Sequence, residues 1–431
     1  MQSEFVIVGG GAGGLELACK LGRKFGPAKV ALVDSRLYHI WKPSLHEVAA
    51  GTLDVHQEGL SYQMLAHDNG FTFVYGAMTG LDPEARSVTV GPITSGDGEE
   101  VLPQRRIGYR SLVLAVGSVS NYFGVPGARE CTISLNAVED AERFRLTLLK
   151  LLARAEYRED GKTGAGIDVV IIGGGATGVE LAAELREASG VYATYGVGHE
   201  ALRDVRITVL EGAPRILAPL PEKVSNAAKR LLDKRAIRVV TSCRVTHITP
   251  GSVTDNDGKV YPADLCVWAA GIRAPELLGE LGLPVAKGGQ VQVDERLQVK
   301  GVPGVYALGD CADCTDARGV HVPPRAQAAH QQADYLMETF QRESAGKPQQ
   351  QRGYEYKDYG SLVSVGQTTS VGSLMGSLKG LSWFVEGFVA RMMYVSLHLL
   401  HHRAVLGTVR TGVLAIARFL IKRTTPLVKL H

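Results

Sequence analysis

The sequence predicts an α/β chain built on two Rossmann-type units and closed by an amphipathic helical tail. Three observations carry this reading. A G-x-G-x-x-G run at Gly9, Gly11 and Gly14 follows a short β-branched apolar stretch, and the same arrangement returns at Gly173, Gly175 and Gly178. Each run leads into helix-forming sequence and then a second apolar stretch ending in an acid, Asp34 in one case and Glu211 in the other. From Lys379 onward the composition turns apolar and basic, with eight Lys/Arg against one acid, Glu386.

The bulk properties fit that outline. A length of 431 residues allows two to three domains with sizeable cores. The six cysteines are scattered, and only Cys311 and Cys314 are close, which fits a reducing compartment without a disulfide framework. The Cys311–Cys314 spacing is metal-like but has no second pair, so reduced thiols are the favoured reading, with a metal or redox role as the alternative, and no metal is expected. Only Met1–Glu4 precede the first apolar run, leaving no room for the basic and apolar regions of a signal peptide. The expected location is therefore the cytoplasm or its membrane face. The net charge of +3 hides a basic tail on a mildly acidic body, and a tail of that kind calls for a partner. No nucleic-acid partner is expected.

In the first unit Phe5–Val8 reads as a buried parallel strand, Leu15–Leu21 as a helix and Lys29–Val33 as the next strand. Asp34 lies twenty residues past Gly14. The first glycine permits the tight turn, the second lets backbone approach a pyrophosphate, and the third lets helix pack on strand. Unpaired N–H groups and the positive dipole end of the helix then face the phosphates. Gly9, Gly11, Ala12, Gly13 and Gly14 are thus expected at a dinucleotide's phosphates, and Asp34 with its neighbour Ser35 at its ribose.

In the second unit Asp168–Ile172 is the strand, Val179–Ala188 the helix and Arg206–Leu210 the following strand, with a long insertion over 189–205. Gly173, Gly175, Ala176, Thr177 and Gly178 form the loop. Glu211 would accept hydrogen bonds from a free ribose 2′-OH and repel a 2′-phosphate, which favours NADH over NADPH; nearby Arg215 pulls the other way. Glu180, in the first helical turn, has two readings. It is an exposed acid compensating the helix dipole, or a carboxylate that steers protons near a redox centre.

Two strands ending in small-residue turns follow the units, Ser111–Ser118 with Gly117 and Asp264–Gly271 with Gly271. Then Gly304–Asp310 reads as a buried strand ending in Gly309-Asp310. Here the chain resembles the two-dinucleotide-binding-domain flavoproteins. The resemblance implies FAD on the first unit and NADH on the second, with the second unit inserted into the first. It implies that Asp310 bonds the flavin's ribityl chain and that a helix near 325–331 approaches the ring. Boundaries follow at 1–130 with 275–345 for FAD, 131–274 for NADH, and 346–431 for the tail.

Within that superfamily the stretch around 40–50 has no cysteine, which departs from the disulfide reductases and the thiol-based NADH oxidases. No cysteine follows Cys314, which departs from the sulfide:quinone oxidoreductases. The chain is similar over its whole length to the proteobacterial type II NADH:quinone oxidoreductases. The stretches Trp41–Ala49, with Lys42 at the cofactor, Gly175–Glu180, Val267–Gly271 and above all Pro323–Gln331 carry the match. The last contains A-Q-x-A-x-Q, implying that Gln327 and Gln331 line a quinone pocket and that Ala326 and Gln327 reach the flavin. Glu180, Gln327 and Gln331 are the candidate catalytic residues, although Gln327 also reads as an ordinary capping or interdomain amide. His330 is expected to pack or hydrogen-bond rather than to act as a ligand. The implied reaction passes a hydride from NADH to FAD and two electrons to ubiquinone or menaquinone, without proton pumping. The alternatives are a sulfide:quinone oxidoreductase-like enzyme and a non-catalytic NADH-sensing flavoprotein.

The tail has no charge-free run long enough to span a bilayer. Arg403, Arg410, Arg418 and Lys422 fall on one helical face, with Val405, Leu406, Val409, Val413, Leu414, Ile416, Ala417 and Leu420 filling much of the rest. A helix lying in the headgroup layer, its bases on anionic lipid, fits this pattern; a dimer interface or ordinary core packing is the other reading. Peripheral attachment at the cytoplasmic face of a bacterial inner membrane, as a homodimer, is expected.

Overall fold

The computed structural model describes residues 1–156, 166–194, 205–348, 350–375, 382–424 and 428. Its first sheet runs in the order Thr72–Tyr75, Val30–Asp34, Gln2–Val8, Arg105–Leu114, Ser87–Val90 and Met78–Asp82. Arg105–Leu114 is a shared strand. Its first half pairs antiparallel with Ser87–Val90, and its second half pairs parallel with Val305–Ala307. A strand from beyond residue 300 therefore completes a sheet begun at residue 2, which is the insertion the resemblance implied. Phe5, Val6 and Ile7 are fully buried, as a near-continuous apolar strand requires, with Phe5 packed on Phe25 and Phe340 of two helices. Each such side chain contributes about 1.5–3 kcal/mol on burial.

The inserted unit has a parallel sheet in the order Ile133–Ser134, Leu265–Trp268, Asp168–Ile172, Arg206–Leu210 and Arg238–Val240. The helix Ala176–Thr194 follows its glycine loop, as Ala12–Phe25 follows the first. Both helices begin closer to the glycines than the apolar periodicity places them. Most of the long insertion, residues 195–204, lies outside the described residues.

The C-terminal segment differs from the helical reading in its first half. Three antiparallel strands, Gly360–Ser364, Ser370–Met375 and Ser382–Gly387, precede the helices. Gly407, at φ +80°, then breaks the tail into two helices, Phe388–Leu406 and Thr408–Thr424. Arg403 is thereby removed from the helix that carries Arg410 and Arg418, and the side chain of Lys422 lies outside the described residues. Among the described residues no helix is long and apolar enough to cross a membrane.

Candidate active site

Gly9 turns the first loop at φ +103°, and a Cβ there would come within 3.0 Å of the Ala115 carbonyl. A Cβ on Gly14 would meet the Gly9 carbonyl equally closely. Gly13 is crowded by Leu308 and the Ala329 backbone, where the helix Ala326–Ser344 crosses. Gly11 is the opposite case, since a Cβ there would meet nothing within 4 Å. That is the open side of the loop, where a pyrophosphate can lie against bare N–H groups at a helix start. Asp34 Oδ2 accepts from Gly10 N–H at 2.6 Å and Oδ1 from Arg36 N–H at 2.8 Å. The carboxylate is held at the strand end with lone pairs left for ribose hydroxyls. Ser35 is exposed beside it. An open cradle closed by a fixed acid fits the adenosine diphosphate half of FAD.

The second loop repeats this arrangement. Gly173 stands at φ +111°, a Cβ on Gly178 would collide with the Gly173 carbonyl, and Gly175 is open. Ala176 and Thr177 begin the helix. Glu211 Oε2 accepts from Gly174 N–H at 2.6 Å and Oε1 from Ala213 N–H at 2.7 Å. Arg215, which weighed against NADH in the sequence, donates to Ser225 Oγ at 2.8 Å and to the Ala218 carbonyl at 2.5 Å. Arg215 is thus engaged by its own loop rather than by Glu211. Gly271, at φ +72°, has no room for a Cβ beside the Phe123 ring.

Three distant positions meet at the return to the first unit. Lys42 Nζ donates to the Ser118 carbonyl at 3.2 Å, and Ser118 Oγ donates to Asp310 Oδ2 at 2.8 Å. Desolvation of the ammonium lowers the Lys42 pKa, and the nearby Asp310 charge opposes that. Gly117 and Gly309 supply the left-handed turns, at φ +69° and +70°. Gln332, one helical turn past Ala328, accepts from Gly309 N–H at 2.7 Å and fixes the Asp310 loop. Burial pushes the Cys311 thiol up to about 11 and Cys314 up to about 12, so both are neutral thiols at ordinary pH.

The helix Ala326–Ser344 presents both candidate glutamines near its start, but they are held differently. Gln327 Oε1 accepts from Tyr356 Oη at 2.7 Å and from Tyr359 N–H at 3.3 Å. Gln331 is engaged at both ends by Lys357, donating to its carbonyl at 2.8 Å and accepting from its N–H at 2.9 Å. Gln331 thus pins the chain over 354–359, while Gln327 is oriented by that segment.

Glu180 is not an exposed dipole compensator. It is buried between the helix Leu45–Ala50 and the strand Gly360–Ser364, with Oε1 accepting from Ser364 N–H at 3.0 Å and Oε2 3.6 Å from His46 Nδ1. Burial raises its pKa, against the opposing His46 charge and Ser364 bond. Glu184, one turn on, is also buried and raised, first by desolvation and then by Glu47.

A second buried network escaped the sequence reading. Glu16 Oε1 lies 2.8 Å from His401 Nδ1, and its Oε2 bonds His330 Nδ1. His401 Nε2 lies 2.9 Å from His39 Nε2, and His39 Nδ1 lies 2.9 Å from the Gly10 carbonyl. Carbonyl and carboxylate only accept, so both Nδ1 atoms carry hydrogen, and the Nε2 pair shares one more. Burial, and then the neighbouring His401, push His39 well below the imidazole range. Burial alone would raise Glu16, but the bonds from His330 and His401 bring it down to about 2. A tail helix is thereby wired to the first glycine loop. Nothing local in the sequence signals this, because the partners lie at positions 10, 16, 39, 330 and 401.

Comparison with known proteins places this geometry. The family model of the pyridine nucleotide-disulphide oxidoreductases matches residues 3–333. A type II NADH:quinone oxidoreductase of Haemophilus influenzae is 36% identical, with 99% of each chain covered. The chain belongs to the type II NADH:quinone oxidoreductases of the pyridine nucleotide-disulphide oxidoreductase family. Among other type II NADH:quinone oxidoreductases, Ndh of Mycobacterium tuberculosis is 28% identical over 91% of this chain and 83% of its own. The fold is that of NDH2 from Plasmodium falciparum, solved in complex with NADH, at a TM-score of 0.84, with 20% identity and both chains fully covered. A sulfide:quinone oxidoreductase from Aquifex aeolicus shares the fold at a TM-score of 0.73 and 17% identity, covering 98% of this chain and 95% of that one. Family membership accounts for the paired loops and for their order along the chain.

Proposed function

We propose that the chain catalyses transfer of a hydride from NADH to FAD and of two electrons from FAD to a membrane quinone. The carrying observation is the pair of matched cradles, each with an open central glycine and a carboxylate fixed by two main-chain N–H bonds. Bound FAD supplies the chemistry of a two-electron relay between a hydride donor and a quinone. The residues of the chain bind and orient. Gly9–Gly14 and Asp34 hold the adenosine diphosphate half, and Asp310, oriented by Ser118, with Lys42 behind it, meets the ribityl side. Gly173–Gly178 and Glu211 hold NADH. Gln327, positioned by Tyr356 and Tyr359, offers its amide to the quinone, with Ala326 beside the ring. Gln331 acts through the segment it pins. Glu180 is a buried carboxyl in the first turn of the helix after the second glycine loop, where burial favours its protonated form.

The tail gives the quinone its approach. Arg418 turns inward to Glu58, rather than outward as the basic stripe implied, and Arg410, still exposed, is paired at the surface with Asp68. The outward face carries Val409, Val413, Ile416 and Leu420, with Val413 63% and Ile416 64% exposed. Phe388, Val389 and Met392 extend exposed apolar surface along the preceding helix. Peripheral docking on the bilayer through this face suits a lipid-soluble acceptor, and the apolar side chains replace the bases as the main contact. A second copy of the chain would compete for the same surface.

Anaerobic titration tests the assignment. NADH should bleach the flavin, and a soluble quinone should restore its colour. A flavin left oxidised by NADH refutes the function, and bleaching by sulfide would support the sulfide:quinone reading. Bleaching without turnover on quinone would support the sensing role.

A further inference from the structure

Among the described residues, one cluster of ligating side chains lies outside both glycine loops. Glu58 ends the short helix Val55–Glu58, while His398 and His402 stand four residues apart on the tail helix Phe388–Leu406 and share a face. One ligand atom from each lies within 4.8 Å of the other two. The Arg418 guanidinium, from the helix Thr408–Thr424, sits among them. It lies 3.4 Å from His398 Nε2 and 3.5 Å from His402 Nε2, and it pairs with Glu58 Oε2. Three side chains from two elements thus converge on one cation, and the guanidinium marks the point.

The imidazole chemistry suits a metal at that point. His402 Nδ1 lies 3.0 Å from the His398 carbonyl, which can only accept, so Nδ1 carries the hydrogen and Nε2 keeps its lone pair. A backbone-oriented imidazole of this kind is the common support of a metal-bound histidine. The rings of His398 and His402 stack with centroids 4.5 Å apart, so their Nε2 atoms lie side by side. A cavity of about 10 Å³, lined in part by Trp41, Ser44 and Leu53, adjoins the cluster. It has room for one water-sized body, enough for a fourth ligand.

We propose that Glu58, His398 and His402 form a binding site for a divalent cation of the zinc class, for which the Arg418 guanidinium competes. Two imidazoles and one carboxylate with an open position are a zinc-type ligand set, and a hard oxygen-seeking cation such as Mg²⁺ would not select it. Bound metal ties the helix Val55–Glu58 to the tail and releases Arg418, so the helix Thr408–Thr424 loses one of its tethers to the body. The sequence reading expected no metal because the ligands lie at positions 58, 398 and 402, with no local motif beyond one i, i+4 pair.

The test uses the full-length, FAD-loaded protein, freed of metal with a chelator and titrated with Zn²⁺ against a chromophoric zinc indicator. One site per chain is expected, weakened at least about tenfold by His398→Gln. Arg418→Met should tighten it, because it removes the competing charge and keeps the apolar stem. Trp41, whose ring lies 6.1 Å from that of His398, should report binding by fluorescence in the wild type and not in His398→Gln. If His398→Gln loses its flavin, Glu58→Gln tests the same ligand set. The proposal is overturned if neither wild type nor Arg418→Met binds Zn²⁺, if the ligand variants bind as tightly as wild type, or if Arg418→Met binds more weakly.

Discussion

Replacing Glu211 by Gln separates charge from geometry at the nicotinamide cradle. The wild-type carboxylate does two things, accepting from the Gly174 and Ala213 N–H groups and setting a negative charge where a 2′-phosphate would lie. Gln keeps one oxygen acceptor and points an amide N–H at the other main-chain donor. Losing that bond costs about 1–1.5 kcal/mol of loop stability whichever nucleotide binds, and should lower kcat/KM for both alike. The repulsion acts only on NADPH. Two unit charges about 4 Å apart at an effective dielectric near 20 repel by about 4 kcal/mol. Glu211 is half-buried, so screening by water and salt leaves about 1–2 kcal/mol. The NADH-to-NADPH preference in kcat/KM should therefore shrink roughly 5- to 30-fold, and the change should be smaller at high salt. Anaerobic stopped-flow reduction of the flavin by each nucleotide measures it directly. A preference unaltered by the substitution would refute the argument that this carboxylate selects the cofactor.

Gly178→Ala should cut flavin reduction by NADH about tenfold or more, because its Cβ meets the Gly173 carbonyl and overpacking there costs about 1–3 kcal/mol. FAD content should stay normal, whereas Gly14→Ala should lose FAD on gel filtration. Glu180→Gln should flatten the pH dependence of stability. Burial raises the folded-state pKa of Glu180, so the stability it contributes is present at low pH and is lost as pH rises through that value. The variant's Tm should fall less than wild type's as pH rises above the ordinary carboxylate range, and parallel curves would show that Glu180 does not titrate there. Gln327→Ala removes the acceptor for Tyr356 and Tyr359 and should slow reoxidation by quinone about tenfold, leaving reduction by NADH near normal. Equal loss in both half-reactions would remove Gln327 from the quinone side. Val413→Asp with Ile416→Asp should weaken vesicle flotation at least tenfold, by roughly 0.7–1.5 kcal/mol for each apolar side chain withdrawn from the lipid. Tm should change little, since both side chains are already exposed.

The dinucleotide loops were legible because their constraints are local. A tight turn, a close approach to phosphate and a helix packed on a strand all fall within a dozen residues, and they require glycine for steric reasons that no distant neighbour can relieve. Asp34 and Glu211 were readable for the same reason, each closing the next strand of its own unit. Assigning FAD to the first loop needed resemblance, since both cradles hold their acids by the same bonds. Where Glu180 points, and that Gln331 grips Lys357 while Gln327 takes Tyr356, depended on segments 26 to 184 residues away. The tail shows the boundary most sharply. Its periodicity marked an amphipathic surface helix, but a helical pattern has no inside or outside until something packs on it. The acids that pair with Arg410 and Arg418, Asp68 and Glu58, lie more than 340 residues earlier in the chain. The sequence by itself determined that the chain carries two dinucleotide cradles, through short-range sterics and charge. Only the tertiary structure decided which face of the tail meets the protein and which is left exposed, because that choice rests on contacts, among them the half-buried Arg418–Glu58 pair, formed between opposite ends of the chain.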